Sequence, residues 1–176
     1  MDDSRANLDR VAAQAEAAQR TEFGELASAQ FCIRTICEAR RLTEFLAAIC
    51  PSLEIASIGL MELLINSIEH GNLGIDYETK TALLENGGWT EEIYRRMALP
   101  EFRDRRVVVD FAQDREGARI SIQDEGDGFD PAPYLADAPA ASDHSHGRGI
   151  FLACNTGFAS IDYQDGGRRV VVTLDS

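Results

Sequence analysis

The stretch Glu62-Leu63-Leu64-Ile65-Asn66-Ser67-Ile68-Glu69-His70-Gly71-Asn72 sets the reading of the whole chain. It closes a segment, Leu53 to His70, that is apolar on nearly every side, so a helix buried against other structure is expected there. Gly71 then supplies the expected C-cap. At about 100° per residue, Glu62, Asn66 and Glu69 fall in one narrow polar stripe, with His70 at its edge. A carboxylate and an amide on an otherwise buried helix require a reason. The Asn66 side-chain oxygen is a hard ligand suited to Mg²⁺. Glu62, one turn earlier, is spaced to orient or deprotonate an attacking hydroxyl or water. The same stripe also suits a polar face that only lines solvent or caps the helix end.

Two further motifs follow in order. Asp124-Glu125-Gly126-Asp127-Gly128 comes directly after a strand-like run. An aspartate held at a strand end can accept a hydrogen bond from an adenine amine, and Gly126 and Gly128 let backbone approach the base. The competing reading is an acidic turn or a Ca²⁺ loop, but the later bidentate glutamate of an EF-hand is missing. His146-Gly147-Arg148-Gly149-Ile150 opens another helical run. Free backbone N–H groups beside Gly147 and Gly149 suit a polyphosphate, and Arg148 can add charge-assisted bonds or hold a protein partner. No Gly-Lys-Ser/Thr follows, and no Rossmann unit surrounds it. Residues 130–145 have the length and composition of a lid over bound nucleotide. The spacing of Asp143, His144 and His146 argues against a metal site. Together the motifs describe a Mg-ATP pocket, with His70 among its cofactor-binding side chains.

The composition limits the alternatives. A chain of 176 residues with 44% hydrophobic content can build one domain with a core. A net charge of −13 argues against nucleic-acid or anionic-membrane surfaces. Lys80 is the single lysine, so the positive charge is otherwise arginine. The four cysteines, Cys32, Cys37, Cys50 and Cys154, form no CxxC pair and sit among apolar neighbours, which predicts buried, reduced thiols. No apolar run is long enough to span a membrane. The acidic, Ala/Gln-rich start is unlike a signal peptide, so a cytoplasmic setting is expected.

Along the chain, residues 1–26 read as a helix or linker with a thin apolar stripe. Strands are expected at Ser28–Arg34, Arg106–Phe111 and Arg119–Gln123, and a closing hairpin joins Ser160–Tyr163 to Arg169–Leu174. Helices are expected at Glu38–Ile49, ended by Pro51, and across Glu78–Glu85 and Thr90–Leu99 within an insert, residues 73–105. The sum is a two-layer α/β sandwich over 27–176, its mostly antiparallel sheet covered by helices on one face.

These residues resemble the Bergerat-fold (GHKL) ATPase superfamily. Glu62–Asn72 is similar to its N box, Asp124–Gly128 to its G1 box and Gly147–Leu152 to its G2 box. Within the superfamily, Glu62 with Asn66 to Gly71 most resembles the anti-sigma-factor serine kinases. The resemblance covers roughly Ala27 to Asp175. It implies Glu62 as catalytic base, Asn66 as Mg²⁺ ligand, Asp124 as adenine contact, and Gly126, Gly128, Gly147 and Gly149 lining the nucleotide. It also implies ATP and Mg²⁺ as cofactors, a sigma-factor-like or anti-sigma-antagonist-like protein partner, and room for a homodimer.

The sequence departs from that pattern twice. The insert is longer than the usual link between N and G1 boxes, and its Trp89, Tyr94 and Met97 either form a partner surface or pack on the domain. The final Gly166-Gly167-Arg168 turn lacks the threonine common after the third glycine box. The leading expectation is an ATP-dependent protein serine/threonine kinase. The alternatives are a non-catalytic ATP-binding interaction module and a histidine-kinase catalytic domain separated from its phosphoacceptor, residues 4–22 containing no histidine.

Overall fold

The structure, a computed structural model, describes residues 26–132, 153 and 155–176. Five strands form one sheet: β1 (Ser28–Ile33), β2 (Val107–Asp114), β3 (Gly117–Gln123), β4 (Ser160–Gln164) and β5 (Arg169–Asp175), in the order β1-β2-β3-β5-β4. Every pairing among them is antiparallel. Register aligns Phe31, Val109, Ile122, Val170 and Tyr163 across the sheet, and Phe111, Ile120, Val172 and Ile161 in the next row. Because side chains alternate along a strand, these rows share one face. That face meets two helices, α1 (Ile36–Ile49) and α2 (Leu53–Asn66), in a single core. Fully buried Phe111, Leu46, Leu60 and Ile120 each contribute about 1.5–3 kcal/mol through burial. The expected two-layer sandwich is therefore present.

Local chemistry sets the helix ends. Thr35 and Glu38 form a capping box, the Thr35 hydroxyl accepting from Glu38 N–H at 3.1 Å and Glu38 Oε2 accepting from Thr35 N–H at 2.8 Å. Pro51 separates α1 from α2 as its missing N–H requires. The end of α2 differs from expectation. Gly71 does not cap it; the chain continues through Ser67–Asn72 as a π-helical turn, with Leu73 N–H donating to the Ile68 carbonyl at 2.9 Å. The reason lies in packing: a Cβ on Gly71 would sit 2.6 Å from both Asp124 carboxylate oxygens, so the glycine serves close approach and not termination.

The wider turn also breaks the expected stripe. With more residues per turn, Glu69 moves further around the axis from Asn66. Glu69 is fully buried, its carboxylate 2.5 Å from Lys80 Nζ and accepting from Trp89 Nε1 at 2.6 Å. Both partners lie in the insert, on α3 (Tyr77–Asn86) and α4 (Trp89–Met97) respectively. Asp76 caps α3 by accepting from Thr79 N–H at 2.7 Å, and Gly87 ends it in the left-handed region at φ 74°. Arginines of the insert then satisfy the carbonyls left free after the π turn. Arg96 donates to Leu73 and Gly74 at 2.8 and 2.7 Å, and Arg105 to Asn72 at 3.2 Å. Trp89 and Met97 thus pack on the domain, while Tyr94 is 68% exposed.

Two cysteines correct the expectation of burial. Cys32 and Cys37 are exposed, and among the described cysteines only Cys50 is buried. Alternation along β1 turns Phe31 and Ile33 inward and hence Cys32 outward, and Cys37 begins the outer side of α1. The side chain of Cys154 and residues 1–25 lie outside the described residues. No helix among the described residues is long and apolar enough to cross a membrane.

Candidate functional site

The first two motifs meet at backbone distance. A Cβ on Gly126 would run into the Gly71 carbonyl and lie 2.8 Å from Gly71 Cα. Beside that contact, Asn72 Oδ1 accepts from Glu125 N–H at 2.8 Å. Asp124 leaves β3 with its N–H donating to the Arg168 carbonyl at 3.0 Å, and its Oδ1 accepts from Gly126 N–H at 2.9 Å. Downstream, Phe129 N–H donates to the Gly166 carbonyl at 2.9 Å, and Gly128 adopts φ 80° because a side chain there would strike the same carbonyl. The Asp124–Gly128 loop is therefore held between the π turn on one side and the β4–β5 turn on the other.

Above this junction lies a cavity of about 450 Å³, within the range of small-molecule sites. Leu63, Asn66, Ser67, His70 and Gly71 line it from the first motif, and Asp124, Asp127 and Gly128 from the second. The insert contributes Ile75, Asp76, Tyr77, Phe102 and Arg105, and the β4–β5 hairpin contributes Tyr163, Gly167, Arg168 and Val170. Phe129 and Tyr163 meet edge-to-face at 5.4 Å, so aromatic surface borders a polar floor.

The electrostatics single out three side chains. Asp124 is 9% exposed, and burial pushes its carboxyl up to about 6, against the Gly126 N–H and the Arg168 and Arg105 guanidinium groups that favour its charged form. Burial holds His70 below the usual histidine range. Its Nδ1 bonds the Ile75 carbonyl, while its Nε2 is buried with no hydrogen-bond partner among the described residues. The same holds for Asn66 Nδ2. Both atoms belong to residues that line the cavity, and buried polar atoms without partners are rare.

Asn66, His70, Asp124 and Gly128 therefore share one cavity, and Gly126 packs beneath it on Gly71. Glu62 does not line it. It lines a neighbouring groove between α1 and α2 with Arg40, Thr43 and Met61. Gly147, Arg148 and Gly149, with most of the 130–145 segment, lie outside the described residues. The cavity residues from the insert escaped the sequence reading, since nothing local marks Tyr77, Phe102 or Arg105 as facing Asp124. Arg168 and Val170 had a signal in their place beside the Gly166-Gly167 pair.

The donor set fits Mg-ATP. Among the described residues no group of three His, Cys, Asp or Glu is placed to hold a metal ion. A Mg²⁺ ion taking one amide oxygen from Asn66 would draw its other ligands from phosphates and water, the usual habit of that ion.

A family model described as the histidine kinase-like ATPase domain matches residues 6–174. A comparison with curated proteins finds no match. The family match runs almost the full length of the chain and includes both motifs that build the cavity. On that match, the chain belongs to the histidine kinase-like ATPase domain family of the GHKL superfamily, and it is an ATP-binding domain.

Proposed function

We propose that the chain is a Mg²⁺-dependent protein serine/threonine kinase of the anti-sigma-factor type, which binds a partner protein and transfers the γ-phosphoryl group of ATP to a serine. The observation that carries this reading is the junction of the two motifs, which sets a buried carboxylate (Asp124) and the Asn66 side-chain amide on one cavity. Asp124 accepts the adenine amine. Asn66 would hold Mg²⁺, which supplies charge neutralisation to the phosphates, and Gly147, Arg148 and Gly149 would receive phosphate oxygens. Glu62 would orient the attacking hydroxyl and accept its proton as the oxygen–phosphorus bond forms and the bond to ADP breaks. The partner is a sigma-factor-like or antagonist-like protein, and a cytoplasmic homodimer accords with this reading.

The placement of Glu62 in the α1–α2 groove favours a second reading, a non-catalytic ATP-binding interaction module. Transfer of radiolabelled phosphate to a serine-containing antagonist protein separates the two. A kinase labels the serine, and Glu62→Gln abolishes labelling while ATP binding persists. A binding module labels nothing, and Glu62→Gln leaves partner binding unchanged.

A further inference from the structure

The two edges of the sheet are unlike. At one, β4 carries Asp162 within its five residues, and Asp165 follows directly after Gln164. Charged side chains protect a sheet edge, because they discourage a second strand from pairing there. At the other, β1 reads Ser28-Ala29-Gln30-Phe31-Cys32-Ile33, with no charge, no proline and no bulge in its register against β2. In a chain whose net charge is −13, this neutral strand is an edge with none of those protections.

The ladder shows which backbone groups that edge presents. Gln113 N–H donates to the Ala27 carbonyl at 2.9 Å, and the β1–β2 register runs on from there with Ser28 opposite Ala112. Hydrogen-bonded pairs alternate along an antiparallel ladder, so Ala29, Phe31 and Ile33 also bond to β2. The N–H and C=O groups of Ser28, Gln30 and Cys32 therefore point away from the sheet, and no strand pairs with them among the described residues. Their even spacing about Gln30 makes the edge self-complementary. A second copy running antiparallel sets Gln30 opposite its own counterpart and Ser28 opposite Cys32 in both directions, each pair exchanging two hydrogen bonds about one two-fold axis. The side chains agree with that register. Phe31 of each copy falls opposite the small Ala29 of the other, beside Phe45, whose ring meets Phe31 edge-to-face at 6.0 Å.

We propose that β1 is the interface between two copies of this chain, which pair antiparallel through Ser28, Gln30 and Cys32 into one continuous sheet. A second copy is favoured over a foreign strand because the edge complements itself. It is favoured at β1 because pairing at β4 would bring Asp162 of two copies together. The proposal gives the homodimer an interface and does not depend on the kinase reading, since no residue of β1 lines the nucleotide cavity.

Sedimentation velocity of the whole chain over a dilution series, with amide hydrogen exchange on the same samples, tests this. The native protein should sediment as a dimer that dissociates on dilution. The Ser28, Gln30 and Cys32 amides should exchange at least roughly tenfold more slowly in the dimer than in the monomer. Gln30→Pro removes the central outward N–H, which takes no ladder bond from the single copy, and it should yield a folded monomer. Cys32→Pro, at the next outward position, should do the same. A native chain that is monomeric at every concentration overturns the proposal, and that result needs no variant to fold. A dimer whose three amides exchange as fast as in the monomer, or a dimer that survives both substitutions, also overturns it, because another face then holds the copies together. Protection of these amides in a monomer overturns it as well, and assigns the edge to residues 1–25 of the same chain.

Discussion

At Gly126 a single methyl group decides whether the two halves of the site can meet. Its Cβ would lie 2.8 Å from Gly71 Cα, against backbone and not a flexible side chain that could yield. Gly126→Ala should therefore cost about 1–3 kcal/mol in a denaturant titration and weaken ATP binding with it. Asp124 gives a second residue-scale prediction. Its carboxyl titrates near 6 in the free protein, raised from 3.8, so it carries a proton for part of the population just below neutrality. An adenine amine donates to the charged form and pulls that value down, so binding releases a proton and affinity rises as pH rises through 6. Calorimetry at pH 6 in buffers of different ionisation enthalpy should show more proton release in the native chain than in Asp124→Asn, since the ATP phosphate contributes equally to both, and the difference should vanish at pH 8. At this scale much was legible in the sequence. Asp124 and Asn66 stand out because polar groups between apolar runs require partners. The contact of His70 Nδ1 with the Ile75 carbonyl does not stand out, since it spans five residues across a turn that no local pattern announces.

Among the elements, the π turn and the insert form one unit. Glu69 is a fully buried carboxylate whose two partners, Lys80 and Trp89, come from α3 and α4 respectively. Lys80→Met strips the charge partner from a buried ion. The expected cost is about 3 kcal/mol, at the low end for breaking such pairs because the lysine is itself 23% exposed. Trp89→Phe removes one hydrogen bond to a charged acceptor and should cost about 1.5–3 kcal/mol. Urea unfolding monitored by circular dichroism measures both. If the insert were a loosely attached appendage, neither substitution would move the midpoint. Helical periodicity located α3 and α4 in the sequence within a few residues, because caps such as Asp76 and Gly87 act locally. It could not show their attachment. A buried ion pair between positions 69 and 80 leaves no periodic trace, and neither does the π turn that carries Glu69.

Over the whole molecule, the sheet, the helices on one face and the first two motifs follow from patterns with a fixed period or a fixed turn chemistry, and the structure contains them. The sequence did not reveal that Glu62 sits in a groove apart from the cavity, because a one-turn offset on a helix does not specify which neighbour each residue faces. The cavity lined by Asp124, Asn66 and His70 is where Mg-ATP is expected to bind. The most direct test is calorimetric titration with ATP, with and without Mg²⁺, comparing the native chain with Asp124→Asn. Saturable binding that Mg²⁺ strengthens is expected, weakened at least roughly tenfold in the variant, where a buried acceptor becomes partly a donor. Absence of binding to the native chain, or equal binding by both proteins, would contradict it.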